Sequence, residues 1–125
     1  MIRTTSPTCS IAGKKSPNRM ILDEVNAAEL NRVILAEERG IVIDFWGTWC
    51  QPCRTLRPHL ERLAETHSDD WRLVAVHVDK HPELVDRYEV TTTPTLVFLR
   101  GGDEVHRLVG AAPPSAIDAA ILAVT

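Results

Sequence analysis

Ile41-Val42-Ile43-Asp44-Phe45-Trp46-Gly47-Thr48-Trp49-Cys50-Gln51-Pro52-Cys53-Arg54 is the stretch that decides the reading of this 125-residue chain. Apart from Asp44, Ile41 to Trp46 are β-branched or aromatic. Such a run describes a strand covered on both faces, hence interior to a sheet. Gly47-Thr48-Trp49 is a short turn. From Cys50 to about Thr66 the residues Cys53, Leu56, Leu60, Leu63 and Ala64 keep helical spacing, and Pro58 inside that helix predicts a kink. Pro52 suits the first helical turn, where a missing N–H costs nothing.

Working outward, the same alternation of strand and helix recurs. Met20 to Leu22 opens a short strand. Ala27, Leu30, Val33, Ile34 and Ala36 form a helical apolar stripe with Glu29, Arg32, Glu37 and Glu38 opposite. Asn26 reads as its N-cap, with Glu29 completing a capping box, and Gly40 as its stop. Downstream, Leu73 to Val78 is a buried strand and Pro82 to Tyr88 a short helix. Thr95 to Leu99 and Glu104 to Leu108 flank a Gly101-Gly102-Asp103 hairpin turn. Pro114 to Val124 closes as a helix striped by Ala116, Ile117, Ala120, Ile121 and Val124. The order predicts a three-layer α/β/α fold, a mixed sheet of four to five strands flanked by helices, with an antiparallel hairpin at one edge.

The two cysteines stand where sulfur chemistry is favoured. Cys50 is at a helix start, where N–H groups lack intrahelical partners and the macrodipole is positive. Both effects favour the thiolate, which is the nucleophile. Cys53 is one turn further in, on the buried side. The spacing lets the two sulfurs close a small ring, so the pair can alternate between dithiol and disulfide with little backbone movement.

This segment, with Pro58 following, resembles the active-site segment of the thioredoxin family. Thr93-Pro94-Thr95 resembles that family's cis-proline loop, and Val109-Gly110-Ala111 its glycine loop. The resemblance covers roughly residues 20–125. It implies a thioredoxin fold and a protein-disulfide reductase in which Cys50 attacks a substrate disulfide and Cys53 resolves the mixed disulfide. Asp44 is then the proton acceptor for buried Cys53, directly or through a water. Trp49 shields the cysteines, and Gln51, Pro52 and Pro94 support the site. Trp49, Thr92, Thr93, Val109, Gly110 and Ala111 bind the substrate segment, which pairs with the Thr93 backbone as an added strand. Trp46 is read first as a wall of the core. The implied partners are disulfide-containing proteins and a thioredoxin reductase or equivalent donor. No cofactor is implied, and the expected state is a monomer.

Three departures from the family pattern stand out. Gln51-Pro52 replaces the usual Gly-Pro, a change at the dipeptide that tunes redox potential. Ala75 stands where the family carries a lysine beside the buried aspartate. Burial alone raises a carboxyl pKa, and with no cation from Ala75 that of Asp44 is expected to rise further. Thr93 is polar where an aliphatic residue is common.

Composition narrows the remaining classes. The formal charge is −3, which argues against a general basic surface for nucleic acid. The longest apolar run, Ala119 to Val124, is far short of the roughly 20 residues of a membrane span. Arg3, Lys14, Lys15 and Arg19 give residues 1–22 four cations and no acid. Residues 1–19 therefore read as a flexible basic tail ahead of a single domain at 20–125. The tail has no secretory apolar stretch, so the expected location is cytoplasmic, with organelle targeting by the tail as the alternative. Cys9 is a lone thiol. His59, His67, His81 and His106 show no ligand spacing with the cysteines, and no metal site is expected. His77 reads as a paired surface or edge histidine. Two rival functions stay open: an oxidase or isomerase in an oxidising compartment, and a binding or chaperone module on the same fold.

Overall fold

The computed structural model describes residues 21–22 and 25–124; the basic tail at 1–19, Cys9 and Met20 lie outside them. Along the chain run β1 (Ile21–Leu22), α1 (Ala27–Ala36), β2 (Gly40–Trp46), α2 (Gln51–Thr66), β3 (Trp71–His77), α3 (Pro82–Arg87), β4 (Thr95–Arg100), β5 (Asp103–Val109) and α4 (Pro114–Val124). The strands form one five-stranded sheet in the order β1-β3-β2-β4-β5. β1, β3 and β2 run parallel, β4 is antiparallel to β2, and β5 returns antiparallel to β4. The three-layer mixed sheet and its edge hairpin agree with the sequence expectation.

The central strand β2 is buried from Gly40 to Phe45 because both its sides are paired and both its faces are covered. Alternate side chains enter two separate cores. On one face Val42, Trp71, Leu73, Leu96 and Phe98 meet Leu60 and Ala64 of α2 and Ile117, Ala120 and Ile121 of α4. On the other, Ile41, Ile43, Phe45, Val74, Val76 and Val97 meet Leu30 of α1 and Leu84 of α3. Asp44 belongs by alternation to the α2 face. It lies between Ala75 of β3 and Leu96 of β4, both apolar.

Four local expectations are corrected. Gly40 does not stop α1; it is already the first residue of β2. The helix ends because Glu37 turns extended (φ −91°, ψ 125°), while its N–H still bonds the Val33 carbonyl. The Glu37 carboxylate is occupied at that corner, accepting from Arg39 Nε at 2.6 Å and Nη2 at 2.8 Å and from Arg72 Nη1 at 3.4 Å. Ala36 is exposed and takes no part in the core. β3 begins two residues before Leu73, because Trp71 is fully buried under α2. His77 is buried rather than on the surface, at the last position of β3 beside Trp46 of β2. As expected, the N-cap box is complete, with the Glu29 amide donating to Asn26 Oδ1 at 2.8 Å and the Asn26 amide to Glu29 Oε1 at 3.0 Å. Helix α2 continues through Pro58 to Thr66.

Candidate active site

The functional loops gather at one end of the strands, not at a sheet edge. β2 ends at Trp46 and feeds the turn that leads to Cys50. β4 begins with Thr95 opposite Phe45, so the preceding Pro94 falls level with Trp46. β5 ends with Val109 opposite the same Thr95, so Gly110 and Ala111 emerge there too. Three chain segments far apart in sequence therefore meet where the central strand runs out.

Cys50 is the N-cap of α2, and its sulfur accepts the backbone N–H of Cys53 at 3.2 Å. That bond uses one of the orphan amides of the helix start. The same bond stabilises negative charge on Cys50 Sγ once the sulfur is reduced. Cys50 and Cys53 are joined as a disulfide with Cα atoms 5.3 Å apart. In this oxidised form the two residues are 3% and 4% exposed, so Cys50 is as buried as Cys53. What separates them is the backbone around them, since only Cys50 receives the amide.

Behind Cys53 lies a small cavity of about 120 Å³ lined by Asp44, Trp46, Cys53, Arg54 and Arg57. Asp44 is 2% exposed. Ala75 lies beside it and brings no cation. From the α2 side, Arg54 and Arg57 line the same cavity. Arg54 is engaged elsewhere: Nη1 donates to the Thr48 carbonyl and Nη2 to Gln51 Oε1 at 2.9 Å.

The turn before Cys50 is tied to the turn after β3. Trp49 is 63% exposed, yet its indole N–H donates to Asp79 Oδ2 at 2.9 Å. The ring lies over Gly47, where a Cβ would stand 2.8 Å from the indole, so the position has no room for a side chain. His77 stacks edge-on against Trp46, ring centroids 4.6 Å apart. Its Nδ1 accepts the Asp79 amide at 3.2 Å, which leaves Nε2 to carry the proton of the neutral ring and face Thr48 Oγ1 at 3.3 Å. Thr48, His77 and Asp79 are site residues that sequence reasoning missed. Asp79 carried a usable signal as an acid just past a buried strand; His77 and Thr48 carried none.

Thr93–Pro94 is a cis peptide. Pro94 is buried, and its carbonyl accepts the Gly110 amide at 2.8 Å, binding the proline and glycine loops together. Gly110 has φ +83°, a conformation that favours glycine. Thr95 Oγ1 donates to the Thr92 carbonyl at 2.7 Å, closing the loop from behind.

The expected substrate residues fall into two grooves. Trp49, Thr92 and Thr93 line a cavity of about 310 Å³ with Val78, Asp79 and Val90. Ala111 lines another of about 300 Å³ with Gln51, Pro52, Leu56 and Ala112. Val109 is exposed on the outer strand and lines neither.

A family model described as Thioredoxin matches residues 21–123. Among curated proteins, thioredoxin-2 of Saccharomyces cerevisiae is 37% identical over 102 residues, which is 82% of this chain and 96% of that protein. A bifunctional thioredoxin reductase/thioredoxin of Mycobacterium leprae is 31% identical over 114 residues, 91% of this chain but 25% of that longer protein. Among solved structures, oxidised mitochondrial thioredoxin 3 of S. cerevisiae aligns with TM-score 0.75 and 33% identity over 86% of this chain and 99% of its own.

Proposed function

The chain belongs to the thioredoxin family and is a thiol-disulfide oxidoreductase; from that premise we propose how its residues divide the reaction. Cys50 thiolate attacks one sulfur of a substrate protein disulfide. That S–S bond breaks, the other substrate sulfur leaves as a thiolate that takes a proton, and a Cys50–substrate mixed disulfide remains. Cys53 passes its proton to the Asp44 carboxylate, directly or through a water in the shared cavity, and the new thiolate attacks Cys50 Sγ. The mixed disulfide breaks, the second substrate sulfur leaves as a thiolate and takes a proton as Asp44 releases the one it held, and the enzyme is left as the Cys50–Cys53 disulfide. Two electrons have moved to the substrate, and an external dithiol donor must restore them.

The observation that carries this assignment is the Cys53 amide on Cys50 Sγ, with Cys53 backed by the Asp44 cavity. The amide favours charge on Cys50 as attacker; the cavity gives the Cys53 proton somewhere to go. The substrate segment lies along Thr92 and Thr93 under Trp49, with Gly110 and Ala111 on the far rim and Val109 as an exposed apolar flank. Gln51, Pro52 and Pro94 hold the frame. The donor proposed is a thioredoxin reductase; the fused M. leprae relative pairs those two activities in one chain by its name.

The working form is proposed as a monomeric domain over residues 20–125 behind a flexible tail at 1–19, acting in the cytoplasm without nucleic acid or membrane. Among the described residues no helix is long and apolar enough to cross a membrane. The likeness to a mitochondrial thioredoxin keeps organelle targeting as the rival, and the location of a fluorescent fusion with and without residues 1–19 decides between them.

The test is insulin disulfide reduction with dithiothreitol as donor. Cys50→Ser abolishes turnover and forms no mixed disulfide. Cys53→Ser abolishes turnover but traps one substrate on Cys50. A Cys50→Ser, Cys53→Ser double variant that still supports cellular function would instead make the domain a binding module. A Cys50–Cys53 potential near about −270 mV marks a reductase, and one at about −120 to −180 mV an oxidase or isomerase.

A further inference from the structure

The Asp44 cavity poses a charge problem. A carboxylate 2% exposed in an apolar strand is costly unless a cation lies close by. Its strand neighbours, Ala75 and Leu96, supply none. One pair further along β3, His77 is occupied by Trp46, Thr48 and the Asp79 amide. The buried residues of α4 on this face, Ile117, Ala120 and Ile121, are apolar. Asp118 on the outer side of α4 faces His59, 3.6 Å away.

Among the described residues, the cations at the cavity wall are Arg54 and Arg57 of α2. The Arg54 guanidinium is spent on Thr48 and Gln51 at the surface. Arg57 is different. Its side chain is 22% exposed, so most of it lies inside, while its partner Glu61, 3.2 Å away, is 49% exposed at the helix surface. Arg57 therefore lies between a solvated acid and the cavity that it lines with Asp44 and Cys53. A planar group with five donors can serve both.

We propose that Arg57 is a positioning residue for the resolving step, supplying from α2 the positive charge that holds Asp44 ready to receive the Cys53 proton. It acts through Asp44. The proposal rests on the reading of Asp44 as proton acceptor given above, and its closing experiment separates the two.

The experiment follows the Asp44 carboxyl by NMR titration in the reduced full chain, beside single-turnover resolution of a preformed mixed disulfide across pH. Arg57→Gln raises the Asp44 titration midpoint by about 1 pH unit or more, the usual influence of an adjacent opposite charge. The resolution profile moves alkaline by the same interval. Arg57→Lys, which keeps the charge and the helix, returns most of the shift, and Ala75→Lys restores it in the Arg57→Gln chain. An Asp44 midpoint unmoved by Arg57→Gln in a folded protein overturns the proposal. A midpoint that moves while resolution does not upholds Arg57 as the counter-charge, and it is the role of Asp44 that falls.

Discussion

Two carboxylates on the central strand and the corner before it are handled in opposite ways. Glu37, where α1 gives way to β2, accepts from Arg39 and Arg72, and Arg39 is itself anchored to the Ser68 carbonyl at 2.6 Å. The Arg39 hydrogen bonds above all hold the Glu37 carboxyl down to about 2, against the opposing pull of burial. Asp44, seven residues on at the other end of the strand, lies between apolar neighbours beside a cavity and a cysteine. Glu37 is over-supplied with donors and locked in one charge state, which suits a structural joint. Asp44 has a cavity beside it that reaches Cys53, which suits the proton-accepting role proposed for it. On the proposed reading, the architectural charge is fixed by its donors and the chemical one faces the group whose proton it takes.

The comparison breaks most visibly at the site end. Asp44→Asn fills the same space without accepting a proton. It should slow resolution by about 10²-fold, the low end for losing a general base, with mixed disulfides on Cys50 accumulating. The initial attack of Cys50 should change far less. Single-turnover reduction with quenched, alkylated samples separates the two steps. Equal slowing of both, or of neither, removes Asp44 from the proton path and with it the contrast with Glu37.

How much of this was visible in the sequence differs by end. The strand, the turn, the helix and the two cysteines follow from local patterns: β-branched residues without a break, then apolar spacing that switches to a helical period. The capping box at Asn26 and Glu29 was equally legible, because three residues fix it. The Glu37 corner was not. Gly40 looked like the stop, while the real one depends on Arg39 folding back and on Arg72, thirty-five residues away, arriving from β3. The Asp44 cavity was half legible: the acid in an apolar strand declared itself, but Arg57 reads as one more polar face of α2 until the helix is laid on the sheet. His77 looked like a surface residue because nothing local says that Trp46 will close over it. What escapes is what only tertiary contact creates.

At the structural end the effect should be smaller and purely thermodynamic. Glu37→Gln removes a carboxylate whose folded pKa of about 2 lies below its unfolded value of 4.5. Such a group adds stability above its unfolded pKa and loses that contribution as pH falls through the folded one. The variant should therefore be about 1–2 kcal/mol less stable at neutral pH, below the full linkage value because water screens the pair. The gap should close between about pH 4.5 and 2, as Glu37 protonates in the folded protein. Urea titrations of both proteins at several pH values measure it, and disulfide reduction should be unchanged. A gap that stays constant down to acid pH would mean that Arg39 and Arg72 do not hold the charge.

The smallest effect tests whether position alone decides the contrast. Asn26 caps α1 close to β3, its neighbour Val25 bonding the Ala75 carbonyl at 3.1 Å. It thus sits near the strand position paired with Asp44, yet on the helix of the opposite face. Both halves of its capping box are made, so by the logic drawn from Glu37 it is architectural despite its address. Asn26→Ala leaves the Glu29 amide to water and should cost about 1 kcal/mol, a typical value for a lost N-cap side chain. The resolution rate should match wild type. Paired urea titrations and single-turnover assays read both quantities on one sample. If resolution slows instead, nearness to the strand end governs function, and the division between architectural and chemical groups does not hold.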